Sequence, residues 1–155
     1  MIASHGRHRA DFLELLADTP HPVTALLLFD DAVDRDPAIA AWLEVQPPAL
    51  GAIARLWFAR MRQCGPDVQE LLHDGFATVC VRRAPFACVA AFRAHVNIGF
   101  FHGAALADPA SMLQGTGKAM RHVKVIPSHP LNVVALTALI TTAYVDVQRR
   151  RPDDG

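Results

Sequence analysis

The apolar residues of this chain follow two different periods, and the change between them divides it. Between residues 49 and 64, Leu50, Ile53, Ala54, Trp57 and Met61 recur at helical spacing. They predict one helix with a single buried stripe, with Arg55 and Arg62 lying off it. Pro47-Pro48 opens this helix. Gly65-Pro66 closes it as a C′ glycine followed by a residue that cannot continue a helix. Upstream, Phe12, Leu13, Leu15 and Leu16 predict a helix over residues 8–18, stopped by Thr19-Pro20-His21-Pro22. The apolar run 23–29 is read as helical. Asp36-Pro37 starts a short helix through Trp42 and Glu44, with Asp as N-cap and Pro at the first helical position.

From residue 76 the period falls to two. Residues 76–82 are rich in β-formers, Ala84-Pro85 interrupts them, and 86–92 continue as a second strand. Arg93-Ala94 turns the chain into a third strand, 95–101. There Val96, Ile98 and Phe100 share one face, and His95, Asn97, Gly99 and Phe101 the other. A long loop runs from Gly103 to Lys118. Residues 120–126 alternate again, Arg121, Val123 and Val125 against His122 and Lys124. After the break at Pro127-Ser128-His129-Pro130, Asn132 caps a last helix over 133–149, whose buried face is Leu136, Leu139, Ile140, Ala143 and Val147. Short adjacent strands between helical ends predict an α+β fold, an antiparallel sheet of about four to five strands with N-terminal and C-terminal helices packed on one side.

With 155 residues, 52% of them hydrophobic, the chain is long enough for one self-sufficient core and too apolar for intrinsic disorder. No apolar run is long enough for a membrane span, and the N-terminus has no signal-peptide core, so the expected compartment is the cytoplasm, with no membrane partner. Cys64, Cys80 and Cys88 have no metal spacing and read as reduced, buried thiols. A hairpin centred on Ala84 would bring Cys80 and Cys88 opposite each other. Twenty-six alanines, and thirteen arginines against two lysines, point to a GC-rich bacterial genome. The high apolar fraction predicts a homodimer.

Fifteen bases balance fifteen acids, which argues against nucleic acid as a partner. The balance is global and not local. Residues 1–46 carry a net charge of −5 and residues 47–155 of +5, and six bases between 76 and 126 face the single acid Asp108. Within that stretch lies Gly115-Thr116-Gly117-Lys118-Ala119-Met120-Arg121-His122. A P-loop would need Gly at Met112, Ser or Thr at Ala119, and a following helix where a strand is expected, so nucleotide hydrolysis is excluded. Glycine-flanked amides beside Lys118 and Arg121 suit a small anion, with Lys118 as a point charge, Arg121 as a planar fork and His122 alongside. The expected partner is a small anionic ligand or an acidic protein surface, with no resident cofactor.

A second cluster is Asp67, Glu70, His73 and Asp74. Read as a helix, this stretch puts Asp67, Glu70 and Asp74 on one face, with oxygen and imidazole ligands suited weakly to iron. His95, His102 and His122 lack metal-motif spacing. Nucleophilic catalysis has no serine elbow to stand on. An enzyme of unknown reaction would use His73 or His122 as acid/base, since histidine titrates near neutral pH.

Three blocks carry a family resemblance. They are Trp57-Phe58 through Met61-Arg62 and Gly65-Pro66 to Gly75, FACVAAFRAHVNIGFFHG at 86–103, and AALADPASMLQGTGKAMRHVKV at 104–125. Together the chain resembles the YdhG-like family, a domain of unknown function, over roughly residues 35–147. The resemblance implies a small α+β domain with a curved antiparallel sheet, spanning 35–150, with 1–34 a helical extension and 151–155 a disordered tail. Some members are described as frataxin-like intracellular iron chaperones that hand iron to iron–sulfur or haem assembly, which makes iron the alternative cargo here. Glu70 stands at the family's acidic position, Gln69 replaces an acid often found beside it, and Ala77 replaces a common Pro.

Overall fold

In the computed structural model, residues 26–151 are described. The helix expected over 8–18 and most of the C-terminal tail lie outside them. Helix α1 (Pro37–Glu44) and helix α2 (Pro48–Arg62) precede five strands, β1 (Val68–His73), β2 (Phe76–Val81), β3 (Ala84–Ala91), β4 (Val96–Phe100) and β5 (Arg121–Val125). Helix α3 (Val133–Arg150) closes the fold. The strands form an antiparallel meander in the order β1-β2-β3-β4-β5. The architecture is therefore the expected α+β one, helices flanking an antiparallel sheet.

Local chemistry explains each helix boundary. The Asp36 carboxylate accepts from Ala38 N–H and caps α1, and Asn132 accepts from Ala135 N–H and caps α3. The stripe predicted for α2 is buried at Leu50, Ala54, Trp57 and Met61, with Phe58 added and Ile53 only partly covered. The stripe predicted for α3 is buried throughout, joined by Tyr144. Both helices lie on the sheet face that carries Val79, Val81, Phe86, Val89, Val96, Ile98, Phe100 and Val123.

Four expectations need correction. Residues 67–74 are not helical, because Asp74-Gly75 is a two-residue turn with φ of 53° and 80° that folds β1 back on β2. Asp-Gly is the strongest short hairpin signal, since both positions require positive φ. The β2–β3 turn is Arg82-Arg83, and Ala84-Pro85 belongs to β3. A bulge at Val79/Cys80 shifts the register, so Cys88 faces Thr78 and Cys80 faces Pro85. Neither thiol is in a disulfide and both are buried, and burial pushes the Cys80 thiol far above its usual range. Gly65 is not a positive-φ cap; α2 ends at Arg62 with Gln63 as its C-cap. Finally, residues 26–29 form no helix. Leu26 packs against the main core and Leu27 on the opposite face of the sheet.

That opposite face is also apolar. Phe29, Ala32, Leu71, Cys80, Cys88 and Phe101 form a second cluster there. Phe29 donates its N–H to Arg83 O at 2.7 Å, and its ring stacks on His73 at 4.4 Å. Val33 exchanges two backbone hydrogen bonds with Glu70 and covers the β1 edge. The boundary expected at residue 34 thus runs through packed chain. Among the described residues no helix is long and apolar enough to cross a membrane.

His102, just after β4, is half-buried, and its Nε2 has no hydrogen-bond partner among the described residues. Burial first, then the charge of Arg150, with Asp146 opposing, pulls its pKa down to about 4. In the unfolded chain a histidine titrates near ~6.5. Between those values the unfolded state holds a proton that the folded state lacks. Stability present above the unfolded value is therefore lost as pH falls toward the folded one, by up to about 3 kcal/mol. Urea denaturation at several pH values across that window should show the loss, and His102→Asn should flatten it. An unchanged slope in the variant would assign the acid sensitivity elsewhere.

Candidate functional site

The loop after β4 crosses from one side of the sheet to the other. Leu106, Met112 and Leu113 pack against the main core, while Met120 packs against the second cluster. Asp108 holds the crossing by accepting from Met112 N–H and Leu113 N–H, both at 2.9 Å. That use accounts for the one acid of the basic stretch. Gln114 then pairs with His122 through two backbone bonds. Residues Gly115 to Met120 form an arch beside β5, and Gly115 has φ of +123°, a conformation that favours glycine.

Under the arch is a cleft of about 320 Å³, lined by Phe76, Cys88, Ala90, Asn97 and Gly99 from the sheet and by every residue from Gly115 to His122. Its floor exists because Cys88, Gly99 and His122 lie in one cross-strand row and the middle residue has no side chain. A Cβ at Gly99 would sit 2.7 Å from Cys88 Sγ. Sequence reasoning selected Gly115, Thr116, Gly117, Lys118, Arg121 and His122, and the structure brings all six to this cleft. Phe76, Cys88, Ala90, Asn97 and Gly99 were missed as site residues. Their signal was the small side chains at 88, 90 and 99 on one face of adjacent strands, legible only once the pairing is known.

The six contribute differently. Arg121 Nη1 donates to the carbonyls of Gly117, at 2.5 Å, and Met120, at 2.7 Å. It braces the arch from below. Lys118 and Thr116 are exposed at the rim. Among the described residues the backbone N–H groups of Thr116, Gly117, Lys118, Ala119 and Met120 donate to no protein acceptor. The His122 imidazole is held below its usual pKa by burial first, then by Lys124 and His95. The Asn97 side-chain oxygen is buried with no hydrogen-bond partner among the described residues, which in a cleft wall marks a position where a guest polar group fits. Among the described residues no carboxylate lines the cleft.

The chain matches no family model, no curated protein and no solved structure. Its chemistry is therefore read from its own residues.

The acidic cluster is dispersed. Asp67 accepts from the Tyr144 hydroxyl at 2.5 Å and from Gln148 Nε2 at 3.0 Å. Burial alone would raise its pKa, but these bonds, its own amide and Arg82 outweigh burial and hold it below the usual range. Glu70 points to the helix side and is buried, 3.3 Å from Arg62 Nε. His73 lies on the opposite face against Phe29, and Asp74 sits in the hairpin turn. Among the described residues no group of three or more His, Cys, Asp or Glu is placed to hold a metal ion. Strand alternation is the reason, since it sends successive side chains to opposite faces.

Proposed function

We propose that this protein is a cytoplasmic binding module for a small anionic ligand, seated in the cleft between the sheet and the arch 115–122. One observation carries the reading. Among the described residues, the wall of the cleft is the segment whose amides lack acceptors and which carries Lys118, and no acid lines it. Unpaired amides in a turn attract negative charge, and a nearby lysine adds a point charge. A concave site favours a small molecule over an acidic protein surface, which would meet the rim alone. Arg121 acts as a positioning residue, since its Nη1 is spent on Gly117 and Met120 carbonyls. The His122 imidazole and the Asn97 carboxamide are left to orient the guest.

The test is a calorimetric titration of the full chain with inorganic phosphate and with acetate. Binding should weaken as ionic strength rises. Lys118→Ala should lower affinity about fivefold, the order of ~1 kcal/mol expected for one rim charge, while Lys118→Arg keeps most of it. No heat with either anion, or identical affinities for wild type and Lys118→Ala, would remove the reading.

A further inference from the structure

The shape and lining of the same cleft say more about the guest than its charge does. Its sheet-side surface is Phe76, Cys88, Ala90 and Gly99, closed by Met120 from the arch. Cys88 and Ala90 are buried and Phe76 and Met120 partly so; Cys88 belongs to the second apolar cluster, and Phe76 and Met120 pack against it. Polar side chains are confined to Asn97, Thr116, Lys118, Arg121 and His122. A bare hydrophilic anion would leave the apolar floor wet. A polyhydroxylated anion such as a sugar phosphate would bury hydroxyls against carbon, at a desolvation cost with no hydrogen bond in return. The volume of about 320 Å³ is at the lower end of small-molecule sites, more than a bare ion occupies.

From this we infer that the ligand is a small amphiphilic organic acid, with an unbranched or single-ring apolar body on the Phe76–Cys88–Gly99–Met120 surface and one anionic head at the Thr116–Lys118 amides. The inference rests on the anion reading above and adds the class of body attached to the anion. The head stays beside Lys118, where it keeps part of its hydration. The body displaces water from the floor.

The experiment is a titration of the full chain with acetate, butyrate, hexanoate and octanoate, alongside octanamide and inorganic phosphate. Affinity should rise about threefold to fourfold per methylene, the factor that corresponds to burial of one CH₂, until the cleft is full. Octanoate should bind at least fivefold tighter than octanamide. Ala90→Phe, which fills the floor of the cleft, should abolish the gain along the series. Met120→Ala, which opens the cleft without crowding the sheet, should move the plateau to longer acids. A flat series in which acetate and phosphate still bind would sink the amphiphile and leave the anion reading standing. A rising series with octanamide equal to octanoate would overturn the anionic head, and with it both the anion reading and the acid inferred here. Silence from every compound would end both.

Discussion

Replacing Glu70 by alanine should lower stability by about 3 kcal/mol, among the largest single-residue losses in this fold. Glu70 is 4% exposed. Its carboxylate accepts from Asp36 N–H at 2.9 Å and sits 3.3 Å from Arg62 Nε, with Arg35 at 3.6 Å on the solvent side. Arg62 is itself mostly covered and bonds Val68 O at 3.1 Å, and burial is the main cause that pulls its pKa down. Truncating one member of a buried pair leaves the other charge desolvated, which costs about 3–5 kcal/mol. The lower figure applies because Arg62 keeps its carbonyl partner. The change would also free the entry to α1, since Asp36 bridges Ala38 N–H to Leu72 N–H across to β1. Glu70→Gln should recover part of the loss, because it still accepts from Asp36. Denaturant midpoints at unchanged m-value would measure it, and a loss below about 1 kcal/mol would show the pair to be dispensable. An acid so engaged has little freedom to ligate a passing cation, which is why its position in the sequence is a poor guide to its role.

Gly65→Ala should cost about 2–3 kcal/mol, for a reason of space. A Cβ there would lie 2.0 Å from the Tyr144 hydroxyl oxygen, 2.7 Å from its Cζ and 2.9 Å from Asp67 Oδ1. None of these atoms can retreat cheaply. Tyr144 is held by Asp67 and by Gln148 at 2.8 Å, and its ring packs edge-on to Phe86 at 5.5 Å. Its hydroxyl pKa is pushed up to about 12, by burial first and then by Asp67, so it remains a donor throughout the neutral range. Overpacking a rigid site typically costs ~1–3 kcal/mol. In a double-mutant cycle with Tyr144→Leu the alanine should become much cheaper, with a coupling of at least about 1 kcal/mol. Additive losses would mean that the strain lies in the backbone of the Gly65-Pro66 turn and not in the contact with α3.

How much of this was legible in advance can be judged residue by residue. The stripes of α2 and α3, the caps at Asp36 and Asn132, and the alternation of β4 and β5 follow from short-range spacing. Spacing of that kind reports which side of an element is dry, whatever it packs against. The same reasoning failed at residues 67–74, where acids at helical intervals competed with an Asp-Gly turn signal that fixes a hairpin. It failed again at Ala84-Pro85, because proline is tolerated where a bulge disturbs the ladder.

The sequence alone determined the class of fold, the existence of a cation-bearing glycine turn before the last strand, and the helices that would cover one side of the sheet. Tertiary structure decided the rest. It placed Gly99 between Cys88 and His122, turned Arg121 inward to brace the arch, and gave Glu70 to Arg62. A helix or a turn is set by neighbours a few residues apart, whereas a cleft is an empty volume bounded by residues up to 46 positions apart, from Phe76 to His122. Only the strand register, a cooperative outcome of the whole sheet, puts those residues side by side.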